Sequence, residues 1–191
     1  MNLIYLIRHA ETEWARSGRH TSFTDIPLTE KGEKQAALLG SRLKTYSFKS
    51  VFVSPLLRAT QTCQLAGFGD VAQTEPLLVE WSYGKYEGWT RSAIEREIPD
   101  WNVFLYGAPG GETAQDVQAR CFKMLQLMQK VQGDVALFSH GHFLRAFTAV
   151  YIQLSITEGR HFTLHPASLG ILADENEAPA IRLWNDISHL C

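Results

Sequence analysis

Two arginines and two histidines stand just after short apolar runs in this chain, and side chains of those types gathered in one place would hold and transfer a phosphoryl group. The run Leu3–Ile7 breaks into Arg8 and His9; Val51–Val53 leads to Ser54 and, about one helical turn further, Arg58; Val135–Phe138 leads to Ser139, His140, Gly141 and His142. Arginine is planar, permanently charged and donates hydrogen bonds in pairs, which suits it to phosphoryl oxygens. A metal dication would be repelled by two of them, so neither a metal nor another cofactor is expected. Singly, each residue is ordinary: Arg58 reads as a solvated helix residue paired with a carboxylate, and His140 as a turn histidine. Their recurrence matters because ligands of open parallel sheets bind beyond the carboxyl ends of the strands.

The elements that must position them follow from the hydrophobic pattern. Leu3–Ile7, Val51–Val53, Val135–Phe138, Leu169–Ala173 and Ile181–Trp184 read as buried strands. Between them, Thr29 is a candidate N-cap with Glu30 and Glu33 in the first turns of a helix. Ser54 and Pro55 form a start signal for another. Residues 113–131 place Val117, Cys121, Met124, Leu125 and Met128 on one face. Residues 142–154 read as an apolar helix packed on a sheet. The alternation predicts a three-layer α/β/α sandwich with a largely parallel central sheet, forming one domain over residues 1–191. Residues 80–112 fit the alternation least and read as a lid-like excursion that covers a site.

Bulk properties restrict the partners. The chain has 191 residues, 45% hydrophobic and 20% charged, with a formal net charge of −2. That balance points away from nucleic acid and anionic membranes. No apolar run approaches the roughly 20 residues of a membrane span, and the opening run is too short for a secretory leader. Three scattered cysteines read as reduced thiols, so a cytoplasmic location is expected.

Five blocks carry a family likeness: residues 6–14 (LIRHAETEW), 24–36 (TDIPLTEKGEKQA), 51–62 (VFVSPLLRATQT), 80–88 (EWSYGKYEG) and 137–147 (LFSHGHFLRAF). In that order they resemble the histidine phosphatase superfamily, which includes the phosphoglycerate mutases, and the tail from Ile181 to Leu190 looks like that of its small bacterial phosphatases. The resemblance implies a phosphoglycerate mutase-like fold. It also implies a phosphomonoesterase in which His9 is the nucleophile and forms a phosphohistidine, while Arg8, Arg58 and His140 stabilise the phosphoryl oxygens. The leaving alkoxide then needs an acid. Spacing does not separate Glu80 from Glu87; the resemblance favours Glu80 as the acid and leaves Glu87 to organise a loop.

The substrate implied is a small phosphorylated metabolite, with inorganic phosphate as product. Residues 17–29 resemble the matching loop of yeast-type sedoheptulose-1,7-bisphosphatases, pointing to a sugar phosphate or bisphosphate. Thr21 and Ser22 would donate to it, with Gly141 beside it. His142 and Arg145 would hold a second phosphate, although Arg145 reads equally as a structural salt bridge. Tyr83 and Trp81 would stack on a sugar or pack the lid. His20, His161, His165 and His189 receive no role. Phosphoglycerate mutases carry an adjacent Arg-Arg pair and an asparagine where this chain has Ala15, and both differences favour hydrolysis. An α-ribazole phosphatase, a residual mutase and a catalytically silent phospholigand-binding scaffold are the alternatives. A protein phosphohistidine phosphatase is disfavoured by the excursion that carries Glu80. Oligomeric state is not readable.

Overall fold

The computed structural model describes residues 3–191. Among them, β1 (Ile4–Arg8), β2 (Ser50–Val53), β3 (Ala72–Thr74), β4 (Val135–Ser139), β5 (Leu169–Glu175) and β6 (Ala178–Asp186) form one sheet in the order β3-β2-β4-β1-β5-β6. The first four in that order run parallel, and β5 and β6 close the far edge antiparallel. The helices are α1 (Glu13–Ser17), α2 (Glu30–Leu43), α3 (Leu57–Leu65), α4 (Arg91–Glu95), α5 (Val103–Tyr106), α6 (Ala114–Met128) and α7 (Gly141–Tyr151).

The period-two alternation of a strand sends successive side chains to opposite faces, and here both faces are covered. Tyr5, Ile7, Val51, Val53, Ala136 and Phe138 pack with Leu39 and Leu43 of α2 and with Ala59 and Cys63 of α3. Ile4, Leu6, Phe52, Val135 and Leu137 pack with Met124 of α6 and with Phe143 and Phe147 of α7. Strands buried on both faces have no reason to alternate polar and apolar, which is why they read as unbroken runs. The expected three-layer sandwich is present.

Four local features differ from the sequence expectation. Ile181–Trp184 lies in β6, an edge strand that is only partly buried because one side has no neighbouring strand. β3 was not foreseen, because it is a three-residue edge strand whose Gln73 and Thr74 are exposed and supply no apolar signal. α3 starts at Leu57, with Leu56 as its N-cap and no side-chain cap; the Ser54 hydroxyl is engaged by His140 at 2.7 Å instead. The excursion over residues 80–112 is not loose cover. Its Trp81, Tyr83, Tyr86, Trp101 and Phe104 are buried in the same core as α6 and α7.

The Thr29 cap is present, with its hydroxyl accepting from Gly32 N–H at 3.0 Å. At Gly32 the start of α2 lies against the backbone of Glu11, two residues beyond His9, and a Cβ there would fall 2.1 Å from the Glu11 carbonyl oxygen. The obstacle is main chain and cannot rotate away, so Gly32→Ala must push the helix off the strand end. The expected result is a loss of about 1–3 kcal/mol in urea-denaturation stability; an unchanged midpoint would show that the contact yields freely.

Candidate active site

β1 and β4 are parallel neighbours, and their ends meet in register, with Arg8 opposite Ser139. His9 follows at once, its N–H donating to the Ser139 carbonyl at 2.9 Å. The His9 and His140 rings therefore stand 5.2 Å apart. Beyond β2, Arg58 reaches the same place from the first turn of α3. His140 and Arg58 are fully buried, and His9 is 5% exposed.

Hydrogen-bond bookkeeping fixes the imidazoles. His9 Nδ1 lies 2.8 Å from the Ala10 carbonyl oxygen. A carbonyl only accepts, so Nδ1 carries the proton and Nε2 keeps its lone pair. His140 Nε2 faces the Ser54 hydroxyl, which already receives the Leu56 N–H at 3.4 Å. The buried hydroxyl proton then has His140 Nε2 as its acceptor, which leaves the imidazole proton on Nδ1. That Nδ1, with Nε of Arg8 and Nε of Arg58, is buried without an acceptor among the described residues. A Cβ on Gly141 would lie 3.4 Å from Arg8 Nε and Cζ, so this group is packed directly against the turn that follows His140. Buried donors normally find partners, and three orphans around one imidazole suit an anion.

The cationic surroundings act on the imidazoles. Burial first, then Arg58 and Arg8, hold His9 well below its ordinary 6.5. Burial, Arg58, His9 and Arg8 do the same to His140. His142 is lowered by burial and by Arg145.

Glu80 approaches from the excursion and sits at the start of α7. Its Oε1 accepts from the N–H groups of Trp81 (2.9 Å) and Phe143 (2.8 Å), and Oε2 accepts from His142 N–H at 3.0 Å. Glu87 is elsewhere: its carboxylate accepts from the N–H of Ser22 and of Thr24 and from the Ser22 hydroxyl. It organises the loop, as expected. Arg58 fixes the same loop from the other side through the carbonyls of Thr21 (3.2 Å), Ser22 (3.0 Å) and Thr24 (3.4 Å).

A cavity of about 180 Å³ opens over this group. Arg8, His9, Glu80, Gly141, His142 and Arg145 line it, with Thr21 and Tyr83. Arg58 and His140 are fully buried beside His9, the His140 ring 5.2 Å from its ring. Ser22 is not brought to the cavity, since Glu87 holds its hydroxyl. Among the described residues Arg145 forms no salt bridge; it donates to the carbonyls of Gly159 (3.0 Å) and Arg160 (3.1 Å) and lies over the Phe104 ring. Tyr83 O–H meets His142 Nδ1 at 2.6 Å, whereas Trp81 is packing, its Nε1 donating to the Glu112 carbonyl at 2.9 Å.

Several residues escaped the sequence reading. His20 and Arg19 also line the cavity. Arg120 pairs with Glu112 at 2.7 Å and donates to the carbonyls of Leu77, Val79 and Glu80, which holds the segment bearing the carboxylate. An arginine beside the apolar face of α6 was the available signal. The tail has a use as well. Trp184 donates to the Thr163 carbonyl, His189 Nε2 donates to that of Ala167, and the Leu164 carbonyl between them accepts from Arg8 Nη1.

Residues 4–187 match the family described as the histidine phosphatase superfamily (branch 1). The chain belongs to that superfamily, and it is a phosphatase. It is 40% identical over 177 residues to an acid phosphatase of Mycobacterium tuberculosis, covering 91% of this chain and 87% of that one. Over 184 residues it is 33% identical to the sedoheptulose 1,7-bisphosphatase of Saccharomyces cerevisiae, covering 79% and 68%. A solved structure of a Mycobacterium tuberculosis open reading frame superimposes with a TM-score of 0.93 at 37% identity, covering 96% of this chain and 97% of that one.

The lowered imidazoles have a measurable consequence. Unfolded histidines take up protons near 6.5, whereas buried His9, His140 and His142 resist doing so, so the unfolded state binds more protons below that pH. Stability is therefore expected to fall as pH drops below about 6.5, by about 1.4 kcal/mol per pH unit for each group still neutral when folded. The His9 ring, followed by NMR in the free protein, is expected to titrate below 6.5; titration at or above 6.5 would contradict the assigned surroundings.

Proposed function

We propose that this phosphatase is a metal-independent phosphomonoesterase that works through a phosphohistidine on His9, and that its substrates are small sugar phosphates or bisphosphates. The observation that carries the reading is the set of three buried, acceptor-less donors (Arg8 Nε, Arg58 Nε and His140 Nδ1) around an imidazole whose Nδ1–H is tied to a carbonyl.

In this mechanism His9 Nε2 attacks phosphorus as the bond to the bridging oxygen breaks. The orphan donors bind the equatorial oxygens, whose charge is spread in a loose transition state. Glu80 gives a proton to the departing alkoxide. Its Oε1 already accepts two N–H bonds and Oε2 one, so Oε2 is the oxygen with room to carry that proton. Water next attacks phosphorus, the P–N bond breaks, and Glu80 recovers a proton from the water. Phosphate leaves and His9 is neutral again. Metal independence rests on Arg8 and Arg58, which supply the positive charge a dication would otherwise bring.

Hydrolysis is favoured over a mutase reaction by what flanks the cavity. Ala15 lines it, and Arg91 is engaged on the surface by Glu95 at 2.7 Å. A sugar phosphate is favoured by the yeast relative's name and by a polar far wall. Arg145, with Nε and Nη2 spent on carbonyls, retains Nη1 for a second anionic group.

His9→Ala is expected to abolish turnover and the acid-labile phosphoenzyme trapped with labelled substrate, while the fold persists. Full turnover in that variant would sink the mechanism. Across a panel of sugar mono- and bisphosphates, phosphoglycerates and α-ribazole phosphate, sugar esters should give the highest kcat/KM; a preference for α-ribazole phosphate would overturn the substrate reading alone. Glu80→Gln should slow alkyl phosphates about 10²–10⁴-fold, and p-nitrophenyl phosphate far less, because p-nitrophenolate leaves unprotonated. Equal losses on both would remove Glu80 from the acid role.

A further inference from the structure

His20 lines the cavity and has no part in the mechanism. His20 is pinned by a short antiparallel bridge between Arg19 and Thr90, with its own N–H on the Trp89 carbonyl at 2.9 Å and its carbonyl accepting from Gly88 N–H at 2.8 Å. Its ring is held on three sides. Tyr83 and Trp101 meet it edge-on at 4.9 and 5.0 Å, and His142 stacks against it at 5.9 Å with the planes 19° apart. This is a rigid placement built by rings from three different segments.

Its hydrogen-bonding state is also fixed. Nδ1 lies 3.0 Å from the Trp89 carbonyl oxygen, so Nδ1 carries the proton. Burial holds the ring below its ordinary pKa, despite that carbonyl and the carboxylates of Glu80 and Glu87. The neutral ring therefore offers Nε2 as an acceptor, and His20 lines the cavity. The same lining carries three arginine donors, Arg8, Arg19 and Arg145, and the Glu80 carboxylate.

The position along the cavity is informative. Glu80 stands within 4.0 Å of His142 Nδ1, and His20 stacks on the His142 ring. With phosphorus at His9 and the bridging oxygen at Glu80, the next stretch of wall faces the departing alcohol. We propose that His20 Nε2 accepts a hydrogen bond from a hydroxyl of that alcohol, which makes His20 a specificity-determining residue for polyol phosphates. An ammonium group could donate equally well, but the arginines lining the same cavity repel it. This inference rests on the phosphate being held at His9 and Arg8 as proposed above.

The test compares kcat/KM of His20→Phe and the parent enzyme on two hydroxyl-bearing esters, ribose 5-phosphate and fructose 6-phosphate, and on two without hydroxyls, p-nitrophenyl phosphate and n-propyl phosphate. Phenylalanine keeps the ring packing and removes the acceptor. The ratio of polyol to hydroxyl-free kcat/KM is expected to fall about tenfold, the scale of losing one hydrogen bond in a buried site. His20→Asn, which retains an N–H for the Trp89 carbonyl, should lower the ratio similarly and guards against a packing defect in the first variant. An unchanged ratio in both variants, or equal losses on all four esters, would overturn the role of His20. Failure of the underlying reading looks different: the parent enzyme would then keep its turnover after His9→Ala.

Discussion

Arg8, Arg58, His9 and His140 are brought together where β1 and β4 end side by side, and the two arginines would repel each other at any pH the protein meets. Burying such groups costs several kcal/mol each unless hydrogen bonds and opposite charge compensate them. Part of the compensation is visible: Arg58 donates to three carbonyls of the 21–24 segment, and Arg8 donates to the Leu164 carbonyl. What remains is a group of buried donors with no acceptor among the described residues. The surrounding protein can be understood as whatever is needed to hold that arrangement.

Three tethers do the holding, and each comes from a different part of the chain. Glu87 collects the N–H groups of Ser22 and Thr24, so the loop that Arg58 grips cannot drift. The Arg120–Glu112 pair, mostly buried, fastens residues 77–82 and with them Glu80. The C-terminal residues Trp184 and His189 fasten the segment around Leu164 that positions Arg8. In each case a charged or polar side chain takes up main-chain groups of an irregular segment, because such segments lack the ladder partners that a sheet or helix provides. The site is built from loops, and side-chain hydrogen bonds tie those loops down.

Beyond Glu80 the cavity wall changes character. Rings of His20, Tyr83, Trp101 and His142 meet edge-on or stacked, so this end is rigid, and its polar atoms are those that the ring packing leaves uncovered. The Tyr83 hydroxyl is engaged by His142 and is held well above its usual pKa by burial and by Glu80. It serves as a fixed neutral partner for His142. The half of the site near His9 is thus defined by charge, and the far half by ring geometry.

The sequence alone determined the sandwich, because runs such as Leu3–Ile7 and Val135–Phe138 have no other stable place than the middle of a covered sheet. It also determined that Arg8, His9, Arg58 and His140 share one edge, since each follows a strand and parallel strands end together. What it left open were partnerships between residues far apart in the chain. Ser54 reads as a helix cap from its neighbours, yet its hydroxyl belongs to His140, 86 positions away. Ser22 reads as a donor to substrate, yet Glu87 claims it. His20 carries no local signal, and its place on the cavity wall exists only because Trp89, Tyr83, Trp101 and His142 converge on it. Periodicity and caps are written in nearest neighbours, whereas the proton on an imidazole is set by whichever atom the fold brings within 3 Å, and only the tertiary structure decides that.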